Sequence, residues 1–295
     1  MRHTVNLLHA ADDPVEWARR REDEGWDAIS VADHVFTGTH QYPHVWVSAT
    51  AMAMATSRIR ISTAFVNNLF RGPVEVAHAA LQLSVVSGGR FELGLGAGWA
   101  SDEVTGSGLR YPDPPERAGR FAESAAIVRS LLHDGSCRFR GEYYEIDVPA
   151  IGPRPDTPPP LIAAVGGPRT IREVTPHVDR IELKAQSAAT KGGALDVAKM
   201  ATVTDDHLLD LIERVRAVRP DVELSLFVLV GAGDDPRTVA MRDAMTSGGG
   251  LFQRFFGAPE HVAEGLAWLE TIGITRASLS AVSPDTIEKL APHAV

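Results

Sequence analysis

Short apolar runs alternate with amphipathic stretches along almost the whole 295-residue chain. Strand-like runs fall at 4–8, 28–32, 59–64, 91–95, 161–164, 180–183, 224–230 and 277–280. Between them lie segments whose apolar residues recur at the period of a helix with one buried face: 14–24, 45–55, 74–86, 116–132, 168–174, 206–218, 259–272 and 284–290. The run 224–230 (LSLFVLV) is apolar nearly throughout, as a strand covered on both faces should be. Asp13-Pro14 and Ser283-Pro284 each set a capping side chain before a proline suited to a first helical turn. Eight strand–helix alternations predict an α/β fold closed into a (β/α)8 TIM barrel; an open doubly wound sheet is the competing arrangement.

Three stretches interrupt the alternation. The segment 100–115 follows the fourth strand and is rich in Gly and Pro. The segment 134–160 carries the alternating run CRFRGEYYEI and then Pro158, Pro159 and Pro160. The segment 185–204 follows the sixth strand, is rich in Gly and Ala, and contains Lys191-Gly192-Gly193. Loops that follow barrel strands lie on the face where barrel chemistry occurs, so 100–115 and 185–204 are expected to wall or cover a ligand. Residues 1–295 thus read as one barrel domain with insertions, two of them after strands four and six.

Composition narrows the partners. A hydrophobic fraction of 44% and a charged fraction of 23% suit a globule with a large core. Lys+Arg total 29 against 38 Asp+Glu, a net charge of -9, which speaks against nucleic acid or an anionic membrane as partner. The single cysteine, Cys137, excludes an internal disulfide and fits a reducing cytosol. The first residues meet Asp12 and Asp13 before any long apolar core, and no apolar run reaches 18 residues; a cytoplasmic protein is expected.

Three motifs carry candidate chemistry. In GRFELGLGAGW (89–99) Gly94, Gly96 and Gly98 fall on one side of an extended chain, where missing side chains admit a flat ring or a backbone, or simply allow tight packing. The spacing G-x-G-x-G is not the dinucleotide fingerprint. Asp33-His34 follows the second strand directly: a histidine there suits proton relay near neutral pH, and the alternative is a capping Asp beside a bystander His. The run AAVGGPRT (163–170) passes from strand through glycines into a helix start, a cradle of free N–H groups for an anion or merely a tight turn. His34, His40 and His44 lie close in sequence, but no metal-ligand spacing appears, nor a nucleophile elbow or Walker loop. Trp46, Trp99, Phe36, Phe65 and Phe70 are candidates for an apolar pocket, or for core.

Taken in order, AISVADH (28–34), SRIRISTAFVNN (57–68), GRFELGLGAGW followed by Glu103, and AAVGGPRT resemble the luciferase-like flavin- or F420-dependent oxidoreductase superfamily, over most of the chain. Within it the chain looks most like the deazaflavin-dependent branch, and its Ala/Arg/Asp/Gly-rich usage is of an actinobacterial kind. The resemblance implies a (β/α)8 barrel that binds F420, or alternatively FMN, at the C-terminal face and acts on a small molecule, commonly as a homodimer. It implies His34 near the coenzyme ring as the catalytic side chain, and a bulge at Ala64-Phe65 behind the ring that often contains a non-prolyl cis peptide. It implies coenzyme contacts from Asp33, Asn67, Gly96, Gly98, Trp99 and Glu103, and a phosphate turn at Gly166, Gly167 and Pro168. Two positions depart from the sugar-phosphate dehydrogenases of that branch: Val35-Phe36-Thr37-Gly38 lacks their tryptophan, and Trp99 stands where they carry an acid. The expected activity is hydride transfer between F420 and a small organic substrate, with FMN-dependent monooxygenation as the alternative. A metal-dependent barrel hydrolase would need ligand motifs that this sequence lacks, and a cofactor-free binding or scaffold barrel would show no affinity for either cofactor.

Overall fold

The computed structural model describes residues 1–294. At its centre run eight parallel strands: β1 (Arg2–Leu7), β2 (Ala28–Val31), β3 (Arg60–Thr63), β4 (Phe91–Gly96), β5 (Leu161–Val165), β6 (Arg180–Leu183), β7 (Glu223–Ala232) and β8 (Arg276–Ala281). Each pairs with the next, and β8 returns to β1 with Arg276 opposite Arg2 and Ser278 opposite Thr4. That last pairing decides between barrel and open sheet: the sheet closes. Helices Pro14–Asp23, Val45–Ala55, Pro73–Val86, Pro114–Asp134, Pro168–Val174, Asp205–Val218, Pro259–Thr271 and Thr286–Ala294 follow the strands in turn.

The strand sequences explain the two faces. Val5 and Leu7, Ile29 and Val31, Leu93 and Leu95, and Ile181 and Leu183 are fully buried and belong to the main apolar core. The alternate positions are polar: Thr4, Asn6, Ser30, Ser62, Glu92, Arg180, Glu182, Ser278 and Ser280, all buried. Such an interior holds only where its polar groups find each other. Asn6 donates to Ser280 Oγ at 2.6 Å and accepts from Ser30, and Ser278 donates to Glu182 at 3.0 Å. Lower in the barrel, Glu92 accepts from Arg180 at 2.6 Å and Arg276 at 3.2 Å, and it also bonds Arg60. Burial opposes ionisation of Glu92, but the three guanidinium groups outweigh it and hold its pKa down at about 2.

Local signals set most helix starts. Asp13 accepts from Val15 N at 2.8 Å and Asp113 from Glu116 N at 2.9 Å, each just before a proline. The expected start at Ser283-Pro284 is corrected: the last helix begins at Thr286, because Ser283 Oγ is committed to Asp235 (2.9 Å) and Thr286 (3.0 Å). One segment escapes the hydrophobic pattern. After β7 come a helix Pro236–Gly248, a 3-10 turn Leu251–Phe255 and a two-residue strand Phe256–Gly257 that pairs with the end of β7. That helix buries only Thr238 and Met245, so it has no apolar stripe to read. The segment 100–115 contains the short helix Ser101–Gly106, and 134–160 the hairpin Cys137–Arg140 with Glu145–Val148. The segment 185–204 folds into helices Ser187–Thr190 and Val197–Ala201.

Candidate active site

A cavity of about 590 Å³ opens at the carboxyl ends of the strands, within the size range of small-molecule and cofactor sites. His34, three residues beyond the end of β2, lines it. Its Nδ1 lies 2.6 Å from Oε1 of Glu103, a carboxylate with no exposed side-chain surface; the other oxygen of Glu103 accepts from Val35 N at 3.0 Å. A carboxylate on Nδ1 leaves Nε2 as the atom able to take or give a proton, and it orients the ring. Glu103 sits on the helix Ser101–Gly106, directly after the glycine row, so the pair joins two motifs 69 residues apart in sequence. Trp99 packs edge-on against the imidazole with ring centroids 5.5 Å apart, and Tyr42 covers another side at 5.0 Å.

Asp33 has a different task from His34, as neighbours on an extended chain should. Its carboxylate takes both arms of Arg71, at 2.9 and 3.0 Å, and accepts Asn67 N–H at 2.9 Å. It thereby ties down the stretch after β3, where the Ala64–Phe65 peptide bond is cis. The glycine row packs against that stretch. A Cβ on Gly94 would meet the Thr63 carbonyl at 2.0 Å, one on Gly96 would meet Phe65 Cβ at 3.2 Å, and one on Gly98 would meet Asn67 Oδ1 at 2.4 Å. The space left by the missing side chains is filled by the protein's own bulge, whose Ala64, Phe65 and Asn67 in turn line the cavity. Of the sequence readings of the glycines, tight packing is the one seen: the Thr63 carbonyl sits against Gly94, and the side chains of Phe65, Asn67 and Leu69 sit against Gly96 and Gly98.

On the far wall Gly166 and Gly167 line the cavity, while Pro168 opens the helix behind them and is not a lining residue. A side chain on Gly166 would collide with the Lys184 carbonyl at 2.7 Å; at Gly167 the surroundings are open, with Thr170 Oγ1 3.9 Å away. Gly167 N–H donates to Thr170 Oγ1 at 3.3 Å and Pro168 has no N–H, so the helix-start N–H groups without an acceptor one turn earlier are those of Arg169 and Thr170. Thr190, Gly193, Leu195 and Met200 of the segment 185–204 complete a wall, and Gly193 O accepts from Ser101 N at 3.0 Å. Of the five aromatic candidates, Phe36, Phe65 and Trp99 line the cavity. Trp46 instead packs on Phe91 at 6.4 Å, and Phe70 is not on the cavity surface.

Sequence reasoning passed over Lys184, Phe227 and Tyr42, all of which face the cavity. The signal for Lys184 was present: Arg180, Glu182 and Lys184 alternate with Ile181 and Leu183, which turns three charged residues to the inside of a barrel strand. Burial lowers the pKa of Lys184 to about 8. Among the described residues no group of three or more His, Cys, Asp or Glu is placed to hold a metal ion, and no helix is long and apolar enough to cross a membrane.

Fold and site define a (β/α)8 barrel whose ligand cavity is walled by the loops after its strands. The chain belongs to the luciferase-like monooxygenase family, whose sequence profile matches residues 2–267. It is 38% identical over 160 residues to an F420-dependent glucose-6-phosphate dehydrogenase of Amycolatopsis mediterranei, covering 53% of this chain and 48% of that one. A protein of the same description from Mycobacterium avium is 30% identical over 223 residues, covering 72% and 66%. The matched stretch therefore spans about half the length of the first relative. In structure the chain superposes on an F420-dependent secondary alcohol dehydrogenase in complex with an F420-acetone adduct (TM-score 0.74, 20% identity, 100% of each chain). It also superposes on the monooxygenase RslO1 from Streptomyces bottropensis (TM-score 0.74, 18% identity, 99% and 98%). At such identities these likenesses concern the fold.

Proposed function

We propose that this protein is an F420-dependent oxidoreductase that moves a hydride between the deazaflavin coenzyme and a small organic substrate. The observation that carries the reading is the His34–Glu103 pair, which faces the cavity beside the glycine-backed bulge. The residues present fit the coenzyme. The bulge at Ala64 and Phe65 offers an apolar platform for a flat ring, and Asp33 with Arg71 holds that platform in place. Gly166 and Gly167 line the cavity without side chains and would leave room for a phosphate beside the N–H groups of Arg169 and Thr170. When bound, F420 supplies a ring carbon that accepts or donates hydride. The chain's own work is to seat the ring, exclude water with Trp99 and the wall at 190–195, and move one proton through His34 Nε2.

The named activities of the relatives support F420, and the family's monooxygenases keep FMN-dependent monooxygenation as the second reading. Oxygen separates them. The F420 reading expects turnover of coenzyme and substrate without oxygen, followed by the visible absorbance of the deazaflavin. Strict dependence on oxygen and reduced FMN would overturn it.

Gly98→Val tests the seat. Gly98 has φ +78°, and its new side chain would displace Asn67 and Leu69. The strained backbone costs folding about 1–3 kcal/mol, and the displaced neighbours disturb the seat itself, so F420 affinity is expected to fall at least roughly tenfold with the barrel still folded by circular dichroism. Unchanged affinity would show that the bulge is not the platform.

A homodimer belongs to the same reading. Helix Val45–Ala55 carries no charged residue, although it lies on the outside of the barrel. With Val85 and Val86 of the neighbouring helix, its Val47 and Met54 leave four apolar side chains 37–69% exposed. A helix apolar all round is expected to be buried, and a second copy would cover this face. Light scattering should give twice the 31.7 kDa chain mass, and Met54→Glu with Val47→Glu should give the monomer. A wild-type monomer at tens of micromolar would rule the dimer out.

A further inference from the structure

The cavity holds one lysine whose ammonium has no hydrogen-bond or ion-pair partner among the described residues; the Glu182 carboxylate, two residues earlier, acts on it only through its charge. On the inner face of β6, Arg180 is paired with Glu92 (2.6 Å), and Glu182 accepts from Ser278 (3.0 Å). Lys184 lies one residue past the strand; its backbone bonds Val165 and Ser187, but its side chain makes no hydrogen bond or ion pair among the described residues. Its ammonium stands 4.2 Å from the Phe227 ring centroid and 5.0 Å from that of Phe65. Ring faces attract a cation without donating or accepting a hydrogen bond, so the ammonium on the cavity wall keeps its donors free. The acids lining the cavity are otherwise engaged: Asp33 with Arg71 and Asn67, Glu103 with His34 and Val35, Asp102 with Ser101. Lys184 is also the one lysine or arginine among the lining residues. The chain spends lysine sparingly, with four against 25 arginines, and it places one of the four here. Arginine would always be charged and would bring five donors; a lysine presents a compact point charge.

We propose that Lys184 is a specificity-determining residue that binds a single carboxylate group of the substrate at the centre of the barrel mouth. The proposal rests on the reading of the cavity as an oxidoreductase site and names its substrate class. One ammonium balances one negative charge. A phosphate monoester brings nearly two, and no second lysine or arginine lines the cavity to meet the other. The surroundings of Lys184 are apolar, with Phe65, Phe227 and Leu229 on the same wall. The substrate that fits is an apolar body bearing one carboxylate. Its acid is held by Lys184, and its reacting carbon then lies between the bulge and His34.

The test uses the whole chain, with and without F420, and three probes of similar shape: benzoate, benzamide and phenyl phosphate. Calorimetry should show benzoate binding at least about tenfold tighter than the other two. In Lys184→Met, which keeps the packing on Phe65 and Phe227, benzoate and benzamide should bind alike. With four lysines, the side-chain Cε–H signals are few enough to assign: benzoate should move one signal, and that signal should be missing in Lys184→Met. F420 affinity of the variant should stay within about threefold of wild type. The assignment is overturned if the variant keeps the benzoate preference, if phenyl phosphate binds wild type best, or if benzoate fails to bind at tens of millimolar. A variant that loses F420 affinity tenfold, without a benzoate preference in wild type, gives the ammonium to the coenzyme and likewise overturns it. Benzoate selectivity in the coenzyme-free protein reads Lys184 directly. Failure to bind F420 at all, by contrast, strikes the oxidoreductase reading and leaves the Lys184 result standing by itself.

Discussion

Replacing His34 with Asn is expected to lower turnover about 10²- to 10⁴-fold, the usual contribution of a general acid or base, while F420 affinity changes only a few-fold. The geometry leads to this number. Glu103 holds Nδ1 at 2.6 Å, so the opposite nitrogen of this cavity-lining ring is the one left free to exchange a proton. Asparagine fills similar space and still offers an amide to Glu103, but it cannot carry a proton in either direction. Glu103→Gln should lie between wild type and His34→Asn, because the imidazole survives but loses the carboxylate that orients it. Single-turnover kinetics with saturating coenzyme checks the step itself. Near-normal turnover in His34→Asn would remove the imidazole from the mechanism.

Glu92→Gln should be the most destabilising polar substitution in the barrel. Glu92, Arg180 and Arg276 are all at least 95% buried, and one carboxylate answers both guanidinium groups as well as Arg60. Removing one partner of a buried ionic cluster strands the others at a cost of about 3–5 kcal/mol, which should lower the thermal midpoint on the order of 10 °C. The same cluster sets an acid limit. Folding depresses the Glu92 pKa to about 2 from an ordinary 4.5. A depressed carboxylate contributes its stability in full above the unfolded value and loses it as pH falls from about 4.5 toward 2. Between pH 5 and pH 3 wild type should therefore lose stability faster than Glu92→Gln. Parallel pH profiles for the two proteins would show that Glu92 is not the group responsible.

The barrel was legible because its strands carry local signals. Runs such as 161–164 and 224–230 are apolar nearly throughout and contain no Gly or Pro, and all eight expected runs are barrel strands. The helix Pro236–Gly248 was not legible, since only Thr238 and Met245 among its residues are buried. Ser283 shows the limit of local reasoning about caps: a partner 48 residues away, Asp235, claims its hydroxyl. At the candidate site the motifs pointed to the right stretches of chain, and the pairing within them came from topology. Adjacent Asp33 and His34 turn out to serve different partners, Arg71 and Glu103, that only the closed barrel brings near. Lys184 went unread because a charged residue at a strand end is ordinarily solvated. Its inward direction follows from the two-residue alternation of β6 once the strand is known to lie in a closed barrel.

On the proposed function, the cavity beside the bulge receives F420. Spectroscopic titration of the purified chain with F420, and separately with FMN, tests it most directly. Saturable binding of one F420 per chain is expected, at least about tenfold tighter than FMN and weakened by Gly98→Val. Tighter binding of FMN, or no perturbation of the F420 spectrum at saturating protein, would contradict it.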